Sequence, residues 1–93
     1  MTYRGAQNLI KRGDEPGLRH ALDTGLDPNL ANQNGWTLLM LAAVEGDIPI
    51  GRLLIEKGAA IEPHNNKDET ALTLATHRGY IAFVDLLNPA AAQ

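Results

Sequence analysis

Cysteine is absent from the 93 residues, which excludes a disulfide framework, a thiolate zinc centre and a cysteine nucleophile. Aromatic residues make up only 4% of the chain, so a core has to be built from Leu, Ile, Val and Ala. No apolar run approaches the ~18 residues of a membrane-crossing helix, and MTYRGAQNLIKRGD lacks the uninterrupted apolar stretch of a secretory leader. No membrane association and a cytoplasmic address are the expectations. Positive charge is scarce: eight Lys and Arg against eleven Asp and Glu give a formal charge of −3. Affinity for nucleic acid rests on clustered cations that release counterions from phosphates, so nucleic acid is not an expected partner.

Catalytic signatures are missing as well. There is no HExxH, no GxSxG and no phosphate-binding glycine loop, and His20, His64 and His77 never fall in an i, i+4 pair. No catalytic residue, metal or cofactor is expected, and the chain reads as a non-enzyme. Asp14, Asp23 and Asp47 read as residues beginning or flanking helices, where a carboxylate meets the positive end of the helix dipole.

What is present is a repeated pattern, clearest from Gly35 to Gly58. Thr37 suits an N-cap, Leu38, Leu39, Leu41, Ala42 and Ala43 supply an apolar stripe, and Gly46 ends the helix. Pro49 opens a second helix carrying Ile50, Leu53, Leu54 and Ile55 to Gly58. Shifted by 33 residues, Thr37, Leu39, Leu41, Ala42, Gly46, Ile48, Leu53 and Leu54 fall on Thr70, Leu72, Leu74, Ala75, Gly79, Ile81, Leu86 and Leu87. Upstream, Gly13, Asp14, Pro16, Arg19, Gly25 and Asn32 fall on Gly46, Asp47, Pro49, Arg52, Gly58 and Asn65. One helix pair cannot close a core, so neighbours must stack on it.

Through GWTLLMLAAVEGD, DETALTLATHRGY and GLDPN the chain resembles the ankyrin repeat over nearly its whole length. The resemblance implies an all-α solenoid of stacked antiparallel helix pairs joined by finger-like turns. It forms a single domain, residues 1–93, of about three repeats (1–31, 32–64 and 65–93). The first is degenerate, with a polar helix over Ala6–Arg12 and only Leu9 and Ile10 inward. The third keeps helices at Thr70–Arg78 and about Ala82–Leu87; Pro89 should end the latter, and the last residues should fray. Leu39, Leu53, Leu54 and Leu72 are expected between repeats. The family's TPLH is TLLM at Thr37 and TALT at Thr70, a loss of about 1 kcal/mol per site. Asp68 stands where Gly35 occupies a turn that favours φ > 0.

In ankyrin proteins the partner usually lies across the finger turns and the first-helix face, and the period projects that surface into rows: Tyr3, Trp36 and Glu69; Lys11, Val44 and His77; Arg12, Glu45 and Arg78. Gln33, Asn34, Asn66 and Lys67 complete the finger tips. The resemblance thus implies a protein-interaction module, an adaptor, inhibitor or immunity-type partner, with one protein partner. The expected binding residues are Tyr3, Gln33, Asn34, Trp36, Val44, Glu45, Lys67, Glu69, His77 and Arg78.

Trp36 combines large apolar area with an N–H donor, as interface anchors do; a turn tryptophan can equally lie over Leu39 or Met40 as packing. Lys11, Arg12, His77 and Arg78 read either as a small basic patch beside Trp36 or as an ordinary solvated surface. The alternative function is assembly, in which a thin last repeat exposes Phe83, Leu86 and Leu87 and copies stack to cover them. The oligomeric state is accordingly monomer or weak homo-oligomer.

Overall fold

The computed structural model describes residues 2–92, with side chains through Asn88. Six helices follow one another: α1 (Tyr3–Lys11), α2 (Glu15–Asp23), α3 (Leu38–Glu45), α4 (Ile48–Glu56), α5 (Ala71–His77) and α6 (Ile81–Ala92). They form three pairs, α1 with α2, α3 with α4 and α5 with α6. The first helices pack side by side as one layer, and the second helices as another. Among the described residues extended pairing is confined to one antiparallel bridge between Ala31 and Thr37.

Local chemistry explains the boundaries. Thr2, Thr37 and Thr70 each cap a first helix, their hydroxyls accepting from Gly5, Met40 and Thr73 N–H groups at 3.2 Å. Asp14 and Asp47 cap α2 and α4, accepting from Gly17 and Ile50 at 3.0 and 3.1 Å, with proline in each first turn. Asp23 differs from that reading: it is the last residue of α2 and is held 2.7 Å from Lys57 Nζ. Where TPLH would place histidine, Met40 is buried as apolar filling, while the Thr73 hydroxyl bonds that of Thr70 at 3.1 Å.

Packing follows from position in the stack. α3 has α1 on one side, α5 on the other and α4 behind, and every residue from Leu38 to Ala43 is buried. Leu39, Leu53 and Leu54 are buried as the period implies, whereas Leu72 is only half-buried because no further first helix covers that side of α5 among the described residues. α1 starts earlier than the repeat register, at Tyr3, because Thr2 supplies the cap, and it buries Ala6 along with Leu9 and Ile10. On the back, Arg19 and Lys57 fasten α2 to α4 through Glu56 at 3.3 Å and Asp23 at 2.7 Å.

The last helix corrects two expectations. α6 continues past Leu87 to Ala92, through Pro89. Proline removes one donor and crowds the carbonyl four residues back, yet the three alanines that follow are the strongest helix formers. Fraying at Gln93 lies outside the described residues. Phe83 and Leu87, expected on an exposed face, are fully buried, and Leu86 is half-buried. α6 folds back onto α4, where Gly51 leaves room for the Phe83 ring. Among the described residues the exposed large apolar side chains are Tyr80 and Ile81, the latter 73% exposed. Tyr80 takes the place of the capping Asp of the earlier repeats and lays its ring over Gly46.

Candidate protein-interaction surface

Each finger is a turn wound around one asparagine. In the first, Asn32 Oδ1 accepts from the N–H groups of Asn34 at 2.9 Å and Trp36 at 3.0 Å, and the Asn32 carbonyl accepts from Gly35 at 3.0 Å. In the second, Asn65 Oδ1 accepts from Lys67 at 2.8 Å and Glu69 at 3.0 Å, and its carbonyl accepts from Asp68 at 3.0 Å. Such side-chain bonds fix a turn against solvent competition, and Asn65 is one of the few buried polar residues. The period paired Asn32 with Asn65, but their role as turn centres emerges only from the hydrogen bonds.

The fingers also brace each other. The Asn66 N–H donates to the Asn34 carbonyl at 3.0 Å. Further back, Asn29 Oδ1 accepts from Ala60 at 2.7 Å and Asn29 Nδ2 donates to the Gly58 carbonyl at 3.3 Å. Asp27 keeps the local turn that the sequence suggests by accepting from Asn29 N–H at 2.8 Å. Gly35, at φ 80°, is pressed so close that a Cβ there would stand 3.0 Å from Asn65 Cα. Asp68 adopts the same left-handed region at φ 60°, with its side chain 92% exposed. Conformation alone is demanded of Asp68, whereas Gly35 has to satisfy conformation and space together.

A cavity of about 270 Å³ opens between the fingers, lined by Asn34, Trp36, Asn65, Asn66 and Lys67. Trp36 is half-buried: one part packs on the core, and another faces this cavity. The packing reading therefore describes part of the ring, and the rest of it is open to the cavity. Gln33, Asn34, Lys67, Glu45, His77 and Arg78 are exposed.

Three expected surface residues are otherwise engaged. Val44 is half-buried against the core because α3 has neighbours on both sides. Glu69 accepts from Asn65 Nδ2 at 2.9 Å. Tyr3, drawn into α1 by the Thr2 cap, stands in a different setting from Trp36, and its hydroxyl is buried without a partner among the described residues; burial raises its pKa above the ordinary phenol value.

The cations Lys11, Arg12 and Arg78, with His77, lie at the C-terminal ends of α1 and α5, whereas Trp36 precedes the N-terminus of α3. They are therefore not beside it: a helix of this size separates the two ends by roughly 12 Å. Arg12 also approaches Asp14 at 3.7 Å. His20, His64 and His77 lie on α2, in the second finger and on α5 respectively, and among the described residues no three His, Asp or Glu side chains converge as metal ligands. No helix of the described residues is long and apolar enough to cross a membrane.

Six helices in stacked pairs, with a braced finger between successive pairs, coincide with a family match: ankyrin repeats in three copies, over residues 7–92. The chain belongs to the ankyrin-repeat family. Ankyrin repeats are protein-interaction modules, and relatives carry the repeats inside longer proteins. M-phase phosphoprotein 8 of Rattus norvegicus and of Homo sapiens is 34% identical over 80 residues, which is 84% of this chain and 9% of that protein. The ankyrin repeat and KH domain-containing protein mask of Drosophila melanogaster is 44% identical over 57 residues, 59% of this chain and 1% of that protein. The chain therefore spans under a tenth of these relatives. Among solved structures, a chain from the complex of the Bdellovibrio bacteriovorus predatory endopeptidase Bd0816 with immunity protein Bd3460 superposes with a TM-score of 0.88. That likeness has 26% identity and covers 97% of this ankyrin chain and 47% of that one.

Proposed function

We propose that this ankyrin domain is a non-enzymatic interaction module that binds one protein partner across its fingers and first-helix face, as an adaptor, inhibitor or immunity-type protein. The observation that carries the reading is the pair of fingers braced by the Asn66–Asn34 bond, with Trp36 half-exposed at a cavity between them. A braced surface binds with little ordering entropy to offset, and a tryptophan at its centre supplies apolar area with a donor. Gln33, Asn34, Trp36 and Lys67 form the centre of the proposed surface; Glu45, His77 and Arg78 form its far edge, with Val44, Glu69 and Tyr3 contributing through packing and turn geometry. The relation to a chain from an endopeptidase–immunity protein complex favours the inhibitor or immunity form of the role. One domain of three repeats, a monomeric state and a cytoplasmic address belong to the same proposal. Burial of Phe83 and Leu87, with Leu86 half-buried, favours this reading over self-assembly through the last repeat.

Photo-crosslinking in native lysate tests the reading. A crosslinker at Gln33, Glu45 or Arg78 is expected to capture one shared protein, and a crosslinker at Arg52 or Asp85 on the second helices none. Capture from the second helices alone would overturn it. Light scattering after size exclusion should return the monomer mass.

A further inference from the structure

The cavity between the fingers has a chemistry of its own. At about 270 Å³ it falls below the roughly 300–1,000 Å³ of pockets that enclose cofactors and drug-sized ligands, and it has room for one side chain with its adjoining main chain. Asn65 is engaged within its own turn, its Oδ1 accepting from Lys67 and Glu69 and its Nδ2 donating to the Glu69 carboxylate. The side-chain amides of Asn34 and Asn66 are exposed and have no intramolecular partner among the described residues. A primary amide offers two donors and an acceptor, the complement of a peptide group.

Lys67 supplies the charge. It is exposed and makes no ion pair among the described residues, whereas Arg19 and Lys57 on the second helices are matched. The carboxylates that follow Lys67 are not among the residues that line the cavity: Asp68 points out to solvent beside His64, and Glu69 accepts from Asn65 in the turn. Lys67 is thus the one charged side chain among the residues lining the cavity, and an incoming carboxylate meets its ammonium there.

We infer that the cavity receives an acidic side chain carried on an extended segment of the partner protein. The amides of Asn34 and Asn66 bond its main chain, Trp36 packs on its methylenes, and Lys67 takes the carboxylate. This rests on the finger face being the binding surface and adds the chemistry of the partner.

The test is selection of random linear peptides displayed on phage against the immobilised protein, its Lys67→Glu variant and its Asn34→Ala/Asn66→Ala variant, each checked for an unchanged melt. The wild type is expected to enrich Asp or Glu at one position, and Lys67→Glu to switch that position to Lys or Arg. The double variant should bind the wild-type peptides about tenfold more weakly or worse, and the single tryptophan should report binding by a shift in emission. Enrichment without an acidic position, a preference indifferent to Lys67→Glu, or no enrichment at all would overturn the inference. The crosslinking experiment keeps the two ideas apart: capture at the fingers with no acidic peptide preference rejects only the acidic segment, while capture from the second helices alone rejects the surface itself.

Discussion

The Phe83 ring lies directly against the Cα of Gly51: a β-carbon on Gly51 would stand 2.6 Å from Phe83 Cε2 and 2.7 Å from its Cζ. A glycine inside a helix lowers its stability by about 1 kcal/mol relative to alanine, yet here it sets how closely α6 approaches α4. Phe83 is fully buried, and Leu86 Cδ2 would stand 3.1 Å from the same β-carbon. Overpacking of about 1–3 kcal/mol should therefore outweigh the propensity gained, and Gly51→Ala should lower the melting temperature. A raised melting temperature would show that α6 is free to move away.

The centre of the stack sets the second expectation. Leu54 is fully buried between α4 and its neighbours, so Leu54→Ala should lose about 2–5 kcal/mol in chemical denaturation. That is a large share of the stability of a small domain. A midpoint close to that of the parent would contradict the packing register.

Gly35 and Asp68 share a backbone conformation and differ in their surroundings, which gives a paired test. Gly35→Ala places a methyl group 3.0 Å from Asn65 Cα at φ 80°, so it should destabilise by about 1–3 kcal/mol. Asp68→Gly releases an exposed residue from φ 60° and should change stability by less than about 1 kcal/mol. Equal effects from the two would mean that the close approach of the fingers does not matter.

Burial of an unpartnered hydroxyl makes Tyr3→Phe a stabilising substitution, by about 1 kcal/mol. The Tyr3 pKa is raised on folding by desolvation, so its contribution is fully present below the unfolded phenol value and is lost as pH rises through the higher folded value. Denaturation measured at strongly alkaline pH should show the parent weakening more than Tyr3→Phe. Asp23 has the opposite sign. Lys57 lowers its pKa by hydrogen bonding, so its contribution is present above the unfolded carboxylate value and fades as acid carries the pH down through the folded one. Lys57→Met should flatten that acid limb.

Trp36 is expected to behave as a half-buried residue. Its native emission should lie between those of solvent-exposed and core tryptophans, with partial quenching by acrylamide. Trp36→Ala should lower stability by about 1–2 kcal/mol, less than the 3–5 kcal/mol of a fully buried tryptophan. Partner affinity should fall further than the change in folded fraction explains. Loss of stability alone would make it a packing residue.

The period of 33 residues, the caps at Thr37, Thr70, Asp14 and Asp47 and the helix-ending Gly46 are properties of neighbouring residues, so the architecture was legible from sequence alone. Much of the surface was not. Whether Val44 and Glu69 face water, whether Phe83 is exposed, and how far the cations stand from Trp36 depend on which helix lies alongside, which no local pattern encodes. The start of α1 shifted because Thr2 supplied a cap two residues before the register, separating Tyr3 from the Trp36 row. The cavity likewise exists only because two turns 33 residues apart are drawn together by a backbone hydrogen bond between Asn34 and Asn66 and by the missing side chain of Gly35. Sequence by itself determined the repeating unit, because capping and helical periodicity act within a few residues; tertiary structure decided which parts of that unit remain open to a partner, because burial is a property of the neighbours that packing brings.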